Sequence, residues 1–182
     1  MSPSIRKYRS WIFILASIVI VITVYFLGCG ERTVILVRHA EKGQVGDNPP
    51  LTDLGQDRAV ELAEILGNSG VSQIFTTQFL RTQQTAQPLA DALGITSEAI
   101  NRDASGDVYV DELTGRLLSG SNRKVMLVVS HSDTIPRLIE QLGAGEIPII
   151  GEDDFDNLYI VTVPRWFGSP KLIRALYGAP SP

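Results

Sequence analysis

Residues 33–42 read TVILVRHAEK, a β-branched and aliphatic run that ends abruptly in Arg38, His39 and Glu41. An apolar run of this kind reads as a strand buried on both faces. Such strands belong to parallel sheets, and in open α/β sheets the ligand crevice lies beyond their carboxyl ends. Arg38 and His39 fall at that end. An imidazole that can attack, beside a guanidinium that grips an oxyanion with a fork of donors, suits phosphoryl chemistry. Taken alone, an Arg-His pair at a strand end reads more readily as a solvated edge. Residues 124–131, KVMLVVSH, shift the balance, because they repeat the design of an apolar strand closing on a histidine. The chain has two histidines, and each ends a buried-strand pattern.

Between these strands the chain alternates helical and extended patterns. Residues 41–50 hold Gly43, Gly46, Asp47, Asn48 and a Pro pair, which makes a turn-rich rim loop beside the presumptive site. Leu51, Thr52 and Gly55 lead into a helix with Ala59, Leu62, Ala63 and Leu66 on one stripe and Gly67 as its stop. Residues 71–76 form a short strand, after which Thr77 is placed to cap a helix that carries Thr85, Ala86, Leu89 and Ala90 inward and stops at Gly94. Pro88 inside that pattern implies a bend or a late start. Arg81 falls in the first turn, where a cation opposes the helix dipole, so an anion ligand explains it better than a structural role.

Further on, residues 99–100 read as a brief edge strand and 110–118 as a helix, with Asp103, Asp107, Asp111 and Glu112 crowded around the connection. Such a charge run is usually a solvated face, although it can also hold a proton donor. Ile135, Leu138, Ile139 and Leu142 give a short amphipathic helix, and an acidic loop over 146–157 follows. Residues 158–163 and 171–177 then read as an antiparallel pair at the sheet edge. The order implies a three-layer α/β/α sandwich with a largely parallel central sheet and a C-terminal antiparallel hairpin.

The N-terminus stands apart. Arg6, Lys7 and Arg9 precede an uncharged run over 11–27, whose length at ~1.5 Å per residue comes to about 25 Å, close to a bilayer core. Residues 1–30 are therefore expected to be a signal or membrane anchor, and residues 31–182 the folded domain. Gly28 before Cys29, the only cysteine, resembles a bacterial lipoprotein cleavage site with Cys29 as the lipidated residue, and an uncleaved transmembrane anchor competes with it. Both readings put the globular part outside the cytoplasm, on the periplasmic or extracellular face. Without residues 1–29 the chain keeps thirteen basic against twenty acidic side chains, net about −7, which argues against a nucleic-acid groove.

Leu36-Val37-Arg38-His39-Ala40-Glu41 resembles the Arg-His-Gly/Ala signature of the histidine phosphatase superfamily, the phosphoglycerate mutase-like group of small branch 1 type. Leu51-Thr52 with Gly55, Arg81 ahead of Thr85-Ala86, and Val129-Ser130-His131-Ser132 resemble its later landmarks, in the right order, from residue 33 to 177. The resemblance implies His39 as a nucleophile that is transiently phosphorylated. Arg38, Arg81 and His131, with Ser132 beside it, would bind the phosphoryl oxygens, with no metal and no cofactor. The expected activity is a phosphatase acting on a small phosphorylated substrate, with no protein partner inferred. A phosphoglycerate mutase-type phosphotransferase and an inactive phosphate-ligand-binding module on the same fold are the alternatives. The general acid is left open among Glu41, Asp107, Asp111, Glu112 and Asp133.

Overall fold

The computed structural model describes residues 11–21, 23, 30–119, 124–165 and 168–181. The strands are β1 (Glu31–Arg38), β2 (Val71–Thr77), β3 (Ser97–Ile100), β4 (Val125–Ser130), β5 (Asn157–Pro164) and β6 (Lys171–Leu176). Between them lie the helices α1 (Asp53–Leu66), α2 (Leu80–Leu93), α3 (Asp107–Leu118) and α4 (Thr134–Gln141). The sheet order is β3-β2-β4-β1-β5-β6. Its first four strands run parallel, and β5 and β6 complete it antiparallel.

The period of two along β1 sorts its side chains into the two outer layers. Val34 and Leu36 pack with Tyr109, Leu113, Ile135 and Leu138, under α3 and α4. Ile35 and Val37 pack on the other face with Leu62, Leu66, Ala86 and Leu89, under α1 and α2. β4 divides in the same way, Met126 and Val128 against Leu127 and Val129. Each such side chain, fully removed from water, contributes about 1.5–3 kcal/mol. The three-layer architecture follows from strands that have no polar face to offer solvent.

Register places the site. Arg38 pairs with Ser130 across β1 and β4, so His39 and His131 are the next residues of adjacent parallel strands. The His39 amide continues the ladder by donating to the Ser130 carbonyl at 3.0 Å.

Three local expectations are corrected. Thr77 does not cap α2: it is the last residue of β2, and Phe79 takes the cap position without a side-chain hydrogen bond. The Thr77 hydroxyl is engaged instead with Thr82 and His131. The helix also does not start late, but runs through Pro88 from Leu80 to Leu93. α3 begins at Asp107, ahead of the expected start, because Gly106 adopts the left-handed conformation at its N-cap, φ 76°. Asp107, Asp111 and Glu112 are thereby helical.

The segment beyond β6 returns to the domain. Arg58, 2% exposed, donates from Nη1 to the carbonyls of Tyr177 at 3.2 Å and Ala179 at 2.9 Å. Ser181 Oγ accepts from the amides of Phe155 and Asp156 at 2.8 and 3.1 Å, and the Ser181 amide donates to Asp156 Oδ2.

At the N-terminal side, residues 11–21 are helical with exposed apolar side chains, Trp11, Ile12 and Phe13 among them. Among the described residues no helix is long and apolar enough to cross a membrane. Ile22 and residues 24–27 of the apolar run, Gly28 and Cys29 after it, and the basic Arg6, Lys7 and Arg9 ahead of it lie outside the described residues.

Candidate active site

The carboxyl ends of β1 and β4 open into a cleft of about 490 Å³, lined by Arg38, His39, Glu41, Arg81, His131 and Ser132 among others. This volume suits a small molecule rather than a polymer. Arg38, His39, Glu41, Arg81, His131 and Ser132 thus reach one place, although they span nearly a hundred positions of chain.

His39 is 4% exposed. Its Nδ1 lies 2.8 Å from the Ala40 carbonyl oxygen. A carbonyl can only accept, so Nδ1 carries the proton and Nε2 keeps a free lone pair. Burial, reinforced by the charges of Arg38, Arg81 and Lys42 and partly opposed by the Ala40 bond, pulls the imidazole down from 6.5 to about 3. At neutral pH it is therefore an uncharged base, the form that can attack phosphorus.

His131 faces it, ring centroids 5.4 Å apart in an edge-on arrangement. Its Nε2 meets the Thr77 hydroxyl at 3.1 Å, and the Phe79 ring stands against it at 5.5 Å. Burial again dominates, aided by the nearby His39 and the Arg81 and Arg102 charges, and draws His131 down to about 2. The backbone around it is fixed by Thr134, whose hydroxyl receives the His131 amide at 3.2 Å and contacts Ser130 Oγ at 2.8 Å.

Two guanidiniums flank the imidazoles. Arg38 donates from Nη1 to the Gly151 carbonyl at 2.5 Å and lies 4.3 Å over the Phe155 ring. Arg81 lies 4.3 Å over the Phe79 ring. Stacking on an aromatic face fixes the plane of a guanidinium and leaves its edge free to grip an oxyanion. Both Nε–H groups are buried and have no hydrogen-bond partner. A buried donor without an acceptor is costly, and an oxyanion between the two arginines would relieve both. Burial lowers the pKa of each, for Arg81 together with the like charges of Arg102 and Arg38.

The landmark residues of the sequence act as spacers. The Ala40 amide donates to Thr85 Oγ1 at 2.9 Å, and that hydroxyl donates to the Arg81 carbonyl at 2.6 Å, which couples the loop after His39 to the first turn of α2. Thr52 caps α1 by accepting from the Gly55 amide, and its own amide donates to the Glu41 carbonyl at 2.9 Å. A Cβ on Gly55 would stand 2.2 Å from that carbonyl oxygen, so only glycine lets the helix approach the Glu41 backbone this closely.

The acid candidates separate. Both oxygens of Glu41 are held by Arg58, at 2.9 and 3.0 Å from Nε and 2.7 Å from Nη2. Asp133 lines the cleft and accepts from Arg102 Nη2 at 2.5 Å. Asp107, Asp111 and Glu112 do not line it: they pair with Arg137, Gln141 and Arg116 on the exposed side of α3. Ser132 lines the cleft beside His131. Among the described residues no group of three or more His, Cys, Asp and Glu is placed to hold a metal ion.

Sequence reasoning did not assign Arg102, Glu152, Asp153 or Phe155, all of which line the cleft. Arg102 is carried there by the parallel pairing of β3 with β2, and Gln78 brackets its backbone with hydrogen bonds at 2.8 and 2.9 Å. An arginine just past a strand was the only hint available, and it was weaker than Arg38 at the last position of β1 because β3 is only four residues long.

The carboxyl edge of the sheet thus presents two neutral imidazoles beside two guanidiniums whose Nε–H groups are unpartnered, an arrangement chemically suited to an oxyanion. Residues 34–104 match the family model of the histidine phosphatase superfamily (branch 1), a stretch that holds Arg38, His39 and Arg81. The chain is 39% identical over 70 residues to a probable phosphoglycerate mutase GpmB of Yersinia pestis (strain Pestoides F), a stretch covering 35% of this chain and 33% of that protein. It thus spans about a third of the length of the curated relatives it matches.

Solved structures extend the likeness of fold. The protein histidine phosphatase SixA complexed with tungstate superposes with a TM-score of 0.63 at 22% identity, covering 79% of this chain and 96% of SixA. A mycobacterial glucosyl-3-phosphoglycerate phosphatase gives 0.59 at 14% identity, covering 82% and 99%.

Proposed function

We propose that this domain is a metal-independent phosphatase that hydrolyses phosphate monoesters, or another phosphorylated group, through a phosphohistidine on His39. One observation carries the reading: His39 Nδ1 is tied to a backbone carbonyl, which leaves Nε2 free in a cleft that it shares with the unpartnered Nε–H groups of Arg38 and Arg81. The arginines neutralise charge on the equatorial oxygens as the phosphoryl group passes through a loose transition state, with the neutral His131 beside them. Attack by Nε2 forms the N–P bond and expels the leaving oxygen, and water then splits the phosphohistidine and restores the imidazole.

Incubating the full chain with p-nitrophenyl phosphate and a panel of phosphorylated compounds, with acid quench and capture of acid-labile phosphate, tests this. Turnover with label on His39 is expected. No turnover on any compound, together with tight binding of one, would replace the phosphatase with the binding module. Transfer of the phosphoryl group within a sugar acid would replace it with the mutase.

The domain is further proposed to be held at a membrane with its globular part outside the cytoplasm. The exposed apolar side chains of residues 11–21 and the basic Arg6, Lys7 and Arg9 ahead of them support this. Recovery of the native protein in the soluble cytoplasmic fraction would refute it.

A further inference from the structure

A leaving alkoxide or phenoxide needs a proton, and we propose that Glu152 delivers it. This rests on the phosphohistidine reading and adds the residue that completes the first step.

Four carboxylates line the cleft: Glu41, Asp133, Glu152 and Asp153. Arg58 occupies both oxygens of Glu41, and Arg102 holds Asp133. Glu152 and Asp153 are exposed at the mouth, and among the described residues neither enters an ion pair.

Their position is nevertheless fixed. The Asp154 amide donates to the Gly151 carbonyl at 3.2 Å, so Glu152 and Asp153 are the corner residues of a tight turn. Arg38 Nη1 contacts the carbonyls at both ends of that turn, Gly151 at 2.5 Å and Asp154 at 3.4 Å. The same Arg38, 6% exposed, keeps its Nε–H unpartnered in the cleft. One guanidinium therefore offers a donor to the phosphoryl group and carries the carboxylate turn. Of the two corner residues, Glu152 acts more strongly on the Arg38 charge, and its side chain is longer by one methylene.

In the first step the Nε2 lone pair of His39 forms a bond to phosphorus while the P–O bond breaks. The electron pair leaves on the oxygen, which takes the proton of the Glu152 carboxyl. In the second step the Glu152 carboxylate takes a proton from water as that water's oxygen bonds to phosphorus, and the N–P electron pair returns to Nε2.

The test compares p-nitrophenyl phosphate, whose leaving group needs no proton, with phenyl phosphate, whose leaving group does, on the full chain. Glu152→Gln is expected to lower kcat/KM for phenyl phosphate by about 10²-fold while changing p-nitrophenyl phosphate by less than about 3-fold. Asp153→Asn and Asp133→Asn should affect the two substrates alike. Equal losses on both substrates in Glu152→Gln, no loss on either, or a selective loss that appears in Asp133→Asn or Asp153→Asn would overturn the assignment and leave the phosphatase standing. Absence of turnover and of acid-labile label in the unaltered chain would remove both.

Discussion

At the floor of the cleft, Arg38, His39 and His131 hang from two parallel strands paired without interruption from Thr33 to Arg38. At its mouth, Glu152 and Phe155 belong to a turn and loop held by Arg38, with Ser181 bonded to the amides of Phe155 and Asp156. The floor is fixed by buried apolar side chains on both faces of the sheet, so nothing there moves without disturbing the core. The mouth is fixed by a few hydrogen bonds, each worth about 1 kcal/mol net. The proposed mechanism therefore places phosphoryl chemistry in the rigid part, and the groups nearest the rest of the substrate in the part that a few substitutions can redraw.

The sharpest break of this contrast is His39→Ala. Turnover is expected to fall by more than about 10⁴-fold, with complete loss of acid-labile label, because the proposed mechanism makes the free imidazole nitrogen the nucleophile. Unchanged activity would remove the mechanism. Next in size is Arg58→Met, which strands Glu41 in the buried floor and should cost about 3–5 kcal/mol in urea unfolding. Adding Glu41→Leu should recover most of that loss, since an apolar pair of similar volume replaces the ions; failure to recover would give Glu41 a role beyond packing. Arg81→Ala should cost about 2–4 kcal/mol in transition-state stabilisation, read from kcat/KM, with little change in urea midpoint.

The remaining prediction concerns pH. Burial holds His39 down at about 3 and His131 at about 2, whereas both return toward 6.5 in the unfolded chain. Between those values the unfolded chain binds more protons. Stability is then full above about pH 6.5 and is lost as pH falls toward 3, by up to about 1.4 kcal/mol per pH unit per histidine. Urea midpoints across that window should slope less steeply in His131→Gln than in the unaltered chain. Equal slopes would mean that the imidazoles are not the groups that resist protonation.

The same division explains what could be read in advance. β1 and β4 are legible because a strand buried on both faces must be an unbroken apolar run, and a polar residue at its end must have a reason to be there. His39, His131 and Arg38 therefore stand out, and Arg81 does so because a cation at a helix start is electrostatically misplaced unless something anionic sits near. Arg102 was not legible, since its place depends on the pairing of Thr77 with Ile100 across a four-residue strand. Nor was the mouth. Arg38 recruits the turn through the carbonyls of Gly151 and Asp154, and a carbonyl leaves no trace in side-chain chemistry. Thr77 shows the opposite error: a residue type suited to capping was read by type, whereas its hydroxyl is committed to Thr82 and His131.

The docking of residues 177–181 has a mechanical corollary. Arg58 clasps the Tyr177 and Ala179 carbonyls with the same guanidinium that secures Glu41, and Ser181 buttons down the Phe155 amide beneath the ring on which Arg38 rests. The strap thus reaches two supports of the cleft, the guanidinium behind Glu41 and the backbone of Phe155. A segment that forms no wall of the cleft is the anchor of the residue on whose ring Arg38 rests.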